Sequence, residues 1–461
     1  MANVVGGAFW DPSRTAGPMG TRKVAAYDFS RPALRKMATA LAPAFLRVGG
    51  TDADRTAYEL ASARKRPAAD TWLLTTSQWR NLNTFAQDVG WRVMFTLNAG
   101  AAARNADGAW DPTSARALIE DARLHKYPVD VWEFGNELNV YPLLHAQWLS
   151  PRSYADDLQQ ARWLLRDASP TSRLAGPAVA FWPHVGEGLP FMRSFMKSGG
   201  DLVDIVTWHY YPQQSFRCPV ATNRARAGQV LKPKELAEID RWASFVEKTK
   251  SDYGSRAEVW LGETGGAQCG GEPELSDRFA SSLWWIDQLG RVARRGQKVV
   301  VRQTLSGGDY GLIDDATMTP NPDYWASLLW RRLMGTRVLD ATVDVADAPV
   351  QAYAHCMPGE SATGVAMALV NEHPSQMTQV HVPRLQGEVG FFVVTAKGPK
   401  ARTVLINGKE PRLSASGDVP SLVPAQINVR PNDLLTVPLP PHSYAFVVFP
   451  QAQAKACAAR I

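Results

Sequence analysis

Cysteine is scarce in this 461-residue chain, with four residues, and no apolar run approaches the roughly 18–20 residues of a membrane span. There is no H-E-x-x-H and no paired C-x-x-C, and the eight histidines are scattered. No metal site is expected. "GGTDAD" and "VVGGAF" lack the spacing of a phosphate or dinucleotide loop, so no cofactor is expected either. Internal repeats and low-complexity linkers are also missing. The start, "MANVVGGAFWDP", has no basic leader and no apolar core fit for a signal peptide, so either the protein is cytosolic or a leader has been removed.

What is present is an ordinary globular composition, 45% hydrophobic and 20% charged. Fifty Lys+Arg against forty-four Asp+Glu leave a net charge of +6. That balance suits a polyanion, nucleic acid or acidic polysaccharide, through general electrostatics. The densest basic runs are "ARKR" (Arg64, Lys65, Arg66) and "RVARR" (Arg291, Arg294, Arg295); the second is expected on a solvated helix face. Sixteen tryptophans serve core packing first and sugar-ring platforms second.

Short β-branched runs alternate with helical periods over the first two thirds of the chain. Strands are expected at residues 4–10, 45–50, 92–99, 130–137, 173–180, 204–211, 258–264 and 299–305. Between them, segments such as "SQWRNLNTFAQDVG" and "SPRSYADDLQQARWLLRDAS" carry apolar residues at i, i+3, i+4 and open on Ser, Thr or Pro. Eight such units predict a (β/α)₈ barrel over 1–336, with an open doubly wound sheet as the alternative. From Arg337 the helical periods vanish, and short strands with Pro, Gly and Asn turns predict an all-β sandwich over 337–461. The N-terminal residues could add a strand to it.

In such a barrel, reactive groups sit at the C-terminal ends of strands. Glu137 closes the fourth strand in "WEFGNELN", and Glu263 closes the seventh in "WLGETGG". Two carboxylates at those mouths suit glycoside hydrolysis, one protonated as acid and one ionised. Glu133 lies about 13 Å down the same strand at 3.3 Å per residue, and reads as a structural group inside the barrel. Asn136 stands where an amide could grip a sugar hydroxyl beside the acid.

At this point the residues resemble a known family. "WEFGNELN", "TWHYY" and "VWLGETGGAQCGGEPELSDRFASSLWWIDQLG", with "VVVRQTLSGGDYGLIDD" and "PNPDYWASLLWRRLMGTRVL", are similar to heparanase and its relatives in glycoside hydrolase family 79. The likeness extends over nearly the whole chain. It implies a retaining mechanism, with Glu263 as nucleophile, Glu137 as acid/base and Asn136 on the 2-hydroxyl. It further implies that Tyr210 orients the nucleophile. Cys269 and Gly270 would hold the substrate carboxylate through backbone N–H groups, helped by Tyr310 and Gly308. Thr51 and Asp54 would lie near the nonreducing side of the cleft. The likeness also implies a Cys356–Cys457 disulfide. Cys218 and Cys269 could form a second bridge, stiffening the carboxylate loop, or remain free thiols. Two bridges would favour secretion or the periplasm, the leader having been removed.

This chain departs from the pattern at two places. After the fifth strand it offers Phe181, Trp182 and Pro183, an aromatic platform, where a polar and a basic residue for sulfated sugar would be expected. An arginine expected after "WHYY" is either Arg217 or Arg224. The sequence thus points to a monomeric endo-β-glucuronidase on heparan sulfate or a related acidic polysaccharide, with no nucleic-acid partner. The alternatives are an exo-β-glucuronidase and a catalytically silent glycan-binding protein.

Overall fold

The computed structural model describes residues 2–5, 27–61, 72–145, 147–344, 349–359, 363–382, 387–430 and 433–458. Eight strands alternate with eight helices in the first part: β1 Ala2–Val5, α1 Pro32–Ala40, β2 Ala44–Gly49, α2 Thr76–Asp88, β3 Trp91–Leu97, α3 Thr113–Leu124, β4 Val129–Phe134 and α4 Pro151–Ala168. They continue with β5 Arg173–Trp182, α5 Met192–Gly199, β6 Ile205–Tyr210, α6 Pro233–Asp252, β7 Glu258–Thr264, α7 Phe279–Arg294, β8 Val299–Gln303 and α8 Pro322–Leu333. Each strand pairs in parallel with the next, and β1 also pairs with β8, closing the ring. This is a (β/α)₈ barrel, and the strand expected first enters it at Ala2–Val5. Residues 6–26 and the "ARKR" run fall outside the described residues.

Local chemistry explains the helix starts. Pro32, Pro151, Pro233 and Pro322 stand in the first turn of α1, α4, α6 and α8, where a missing N–H costs nothing. Thr75 and Gln78 form a reciprocal capping box at α2.

Inside the ring, side chains stack in layers because every second residue of a strand points inward. Met94, Val131, Ala175, Ile205, Trp260, Val299 and Val301 form an apolar plug against Phe45. Two residues further along, the same strands present Arg47, Thr96, Glu133 and Thr207, all fully buried. A polar layer on an apolar floor therefore follows from period two alone.

The strands of the C-terminal part are β9 Val338–Leu339, β10 Val350–Cys356, β11 Val365–Asn371, β12 Thr378–Val382, β13 Gly387–Thr395, β14 Leu405–Ile406, β15 Ala425–Val429, β16 Leu435–Leu439 and β17 Ser443–Phe449. They form an antiparallel sheet in the order β9-β10-β11-β17-β13-β14, with β15 on β13, faced by the pair β12-β16. In β17 the alternation is visible: Ala445, Val447 and Phe449 join the sandwich core, whereas Tyr444, Phe446 and Val448 join the barrel's core. The described N-terminal strand belongs to the barrel and not to this sheet.

Helix α7 lies between barrel and sheet and is buried nearly all round. Arg291, expected on a solvated face, is buried there as a correction to the sequence reading. It bonds Asp287 and Asp240, and Tyr353 of β10 reaches the same Asp287. The run's other arginine on this helix, Arg294, is exposed.

Candidate active site

Arg47 is the hub of the polar layer. Its Nε donates to Glu133 Oε2 at 2.8 Å, its Nη1 to Glu263 Oε2 at 2.8 Å and its Nη2 to Asn136 Oδ1 at 2.9 Å. Glu133 Oε2 also accepts from Thr96 Oγ1 at 2.7 Å. Glu133 is therefore a fully buried structural carboxylate, and its charge is compensated by an equally buried guanidinium.

Past β4 the chain turns sharply. Gly135 has φ 71° and Glu137 φ 54°, a region costing a non-glycine residue roughly 1–3 kcal/mol. Neighbouring strands hold the turn. Gly135 N donates to Leu97 O at 3.1 Å, Asn136 N to Asp54 Oδ2 at 2.9 Å and Glu137 N to Ala178 O at 2.9 Å. Asn139 exchanges two hydrogen bonds with the Ala180 backbone.

This turn brings the Glu137 carboxylate back over the barrel mouth, where one of its oxygens lies within 4.8 Å of one on Glu263. Burial raises the Glu137 pKa to about 7; Glu133 adds to that and Arg47 opposes it. His209 Nδ1 is 3.2 Å from Glu137 Oε1. Burial lowers the His209 pKa to about 4, so the imidazole is neutral near pH 7. The other oxygen of Glu263 accepts from Tyr211 Oη at 2.8 Å.

That last bond corrects the expectation for Tyr210. Along β6 and the residue after it, Thr207, His209 and Tyr211 face the barrel interior, and Trp208 and Tyr210 face the helices. The Trp208 and Tyr210 rings lie 6.3 Å apart, and the Tyr210 hydroxyl has no hydrogen-bond partner among the described residues. Asp54 is also placed differently: it is buried behind Asn136, with Oδ1 accepting from Ala99 N at 2.9 Å and Oδ2 from Asn136 N. Burial raises its pKa to about 7. It shapes the turn from below instead of lining the cleft. Thr51 is half-buried at the head of the 3-10 turn Thr51–Arg55.

The loops after β7 and β8 do meet. Cys269 (φ 64°), Gly270 (φ 88°) and Gly271 (φ 85°) form a left-handed turn. Gly270 O accepts from Asp309 N at 2.6 Å, and a Cβ on Gly308 would come 3.0 Å from that oxygen. Tyr310 is buried beside Glu263; burial, and after it the Glu263 charge, push the phenol pKa up. Cys218 and Cys269 are bonded, as are Cys356 and Cys457. Arg217 bridges Asp309 and Gly271 O, both at 2.8 Å, and Arg224 holds the carbonyls of Ser215 and Cys218. Both arginines thus bind loop backbone.

The aromatic platform expected after β5 is half wrong. Phe181 is buried against Trp208, Trp242 and Phe245, and only Trp182 keeps partial exposure. Sequence reading also passed over Arg47, Thr96 and Tyr211. A lone arginine within "FLRVGG" was the available signal for the first.

Among the described residues, one group offers metal-ligand atoms in range: Glu137, His209 and Glu263. The Arg47 cation already binds Glu263, so a divalent ion placed there would meet a fixed positive charge at short range. The set fits two-carboxylate acid/base work better than metal ligation.

The chain is similar to known proteins over most of its length. Residues 15–290 match the family description "Glycosyl hydrolase family 79, N-terminal domain". Heparanase-like protein 1 of Arabidopsis thaliana is 30% identical, over 95% of this chain and 88% of that one. Heparanase of Gallus gallus is 31% identical over 92% and 89%, and baicalin-beta-D-glucuronidase of Scutellaria baicalensis 28% over 94% and 85%. The fold is shared with a 4-O-alpha-L-rhamnosyl-beta-D-glucuronidase of Fusarium oxysporum 12S, at TM-score 0.69 and 15% identity over 97% and 95% of the chains. The chain belongs to glycosyl hydrolase family 79 and is a glycoside hydrolase.

Proposed function

We propose that the protein is a retaining endo-β-glucuronidase acting on glucuronic acid linkages of heparan sulfate or a related acidic polysaccharide. The observation carrying the mechanism is that a Glu137 carboxylate oxygen lies within 4.8 Å of one on Glu263. Retaining enzymes hold the pair at about 5–5.5 Å, and inverting enzymes at about 6.5–9.5 Å to admit a water.

Glu263 attacks the anomeric carbon, with Arg47 and Tyr211 each fixing one oxygen. Glu137 gives its proton to the leaving oxygen. The elevated pKa keeps that proton in place near neutrality, and neutral His209 orients the carboxyl without competing for the proton. In the second step Glu137 removes a proton from water, which releases the sugar from Glu263. Asn136 has its carbonyl oxygen committed to Arg47, so its NH₂ edge serves the sugar 2-hydroxyl. The 269–270 turn, Gly308 and Tyr310 receive the uronate carboxylate.

A second reading, exo-action on terminal glucuronides, rests on the similarity to baicalin-beta-D-glucuronidase. Size analysis of digested heparan sulfate separates the two. Mid-chain fragments support endo action; monosaccharide alone sinks it. Glu137→Gln and Glu263→Gln test the chemistry: full activity in both would overturn the assigned roles, and a wild-type protein with no glycosidase activity would leave a glycan-binding protein. Two disulfides fit an oxidising compartment, secreted or periplasmic.

A further inference from the structure

The Cys218–Cys269 disulfide ties the loop after β6 to the loop after β7 with Cα atoms 5.5 Å apart, and both residues are buried. Its two ends are held very unequally. Cys218 is anchored: its N donates to Ser215 O, and Arg224 Nη1 donates to both Ser215 O and Cys218 O at 2.7 and 2.8 Å. The Cys269 side is intrinsically loose. Between 262 and 271 the chain has glycine at 262, 265, 266, 270 and 271, and glycine loses the most backbone freedom on ordering.

Cys269 also sits in the left-handed region, which disfavours any residue with a Cβ. Yet this turn has little positional slack. A Cβ on Gly271 would lie 2.7 Å from Tyr310 N. The noncovalent ties are Asp309 N to Gly270 O at 2.6 Å, Gln268 N to Gln213 O at 2.9 Å, Ser215 N to Gln268 O at 3.2 Å and Arg217 Nη1 to Gly271 O at 2.8 Å. The disulfide is the covalent one, and it acts on the strained residue itself.

We infer that the Cys218–Cys269 disulfide is a specificity determinant that holds the 269–271 turn in the geometry needed to recognise a carboxylate at C5 of the sugar. The inference rests on the glucuronidase reading above. Glu263 leaves the barrel on β7 and keeps its Arg47 and Tyr211 bonds without the bridge, so losing the bridge costs recognition more than turnover.

The test compares the wild-type protein with Cys218→Ala/Cys269→Ala and Cys218→Ser on p-nitrophenyl β-D-glucuronide and the matching β-D-glucoside. The expected result is a KM for the glucuronide about tenfold higher, the factor of one charge-assisted hydrogen bond, with kcat within about threefold. The glucuronide-to-glucoside ratio of kcat/KM falls by the same factor. Cys356→Ala/Cys457→Ala, remote from the site, keeps the wild-type ratio. Should the first two variants fail to fold, the Cys356→Ala/Cys457→Ala protein, in which only one disulfide remains, is reduced with a dithiol, alkylated and assayed for the same ratio. An unchanged ratio after loss of Cys218–Cys269 overturns the inference. A wild-type protein inactive on both the glucuronide and heparan sulfate instead overturns the reading beneath it.

Discussion

Replacing Tyr211 by Phe removes one hydroxyl and keeps the ring. The hydroxyl donates to Glu263 Oε1 at 2.8 Å in a buried site. A hydrogen bond to a charged group contributes about 1.5–3 kcal/mol, which corresponds to about 10- to 150-fold in kcat/KM. The loss stays bounded because Arg47 still holds the other oxygen. Tyr210→Phe is the matched control: its hydroxyl has no partner among the described residues, so kcat/KM should change by less than about twofold. Initial rates on an aryl β-glucuronide, with both variants checked by thermal melting, give the comparison. If Tyr210→Phe loses activity while Tyr211→Phe keeps it, the assigned facing of β6 and the placement of the nucleophile's partner are both wrong.

The pH profile follows from Glu137, whose pKa of about 7 means the required proton is present below that pH and lost as pH rises through it; kcat/KM should fall on that limb, and Glu137→Gln should abolish the limb along with about 10²–10⁴ of the rate. Arg47→Met leaves Glu133 buried without its cation and should destabilise the fold by about 3–5 kcal/mol in denaturant titration; little change would mean the layer is not a tight ion-pair network. Glu372 lies at the barrel–sandwich interface with its pKa raised to about 8 by burial and by Asp287. Its folded pKa exceeds the unfolded value near 4.3, so the stability it contributes is full below that pH and lost as pH rises through about 8. Glu372→Gln should flatten that part of a Tm-against-pH curve. Removing Cys356–Cys457, which are 101 positions apart, should cost up to about 4.7 kcal/mol in the chain-entropy picture, read from denaturant midpoints.

Much of the site was legible because barrel geometry confines chemistry to strand ends. Glu137 and Glu263 were singled out by position, and Glu133 was set aside by its depth. The facing of β6 was harder to read. "IVTWHY" is buried on both faces, so no hydrophobic alternation tells in from out, and the choice between adjacent tyrosines fell to family likeness. Once His209 is placed inward, period two selects Tyr211. Phe181 was misread for the same reason, as an aromatic at a strand end that packs sideways under the helices. Arg291 was misread because helix α7 is covered on its far side by a sheet contributed from some sixty residues later, which no local pattern in the helix announces. Arg47 was hidden differently: one charge inside an apolar strand is meaningful only once its two carboxylate partners, 86 and 216 positions away, are in view.

The most direct test of the central claim is covalent trapping with a 2-deoxy-2-fluoro-β-glucuronyl fluoride, followed by peptide mass mapping. The expected result is one glucuronyl adduct, on Glu263, that is absent from Glu263→Gln. An adduct on another residue, or continued glucuronide hydrolysis by Glu263→Gln at the wild-type rate, would contradict it.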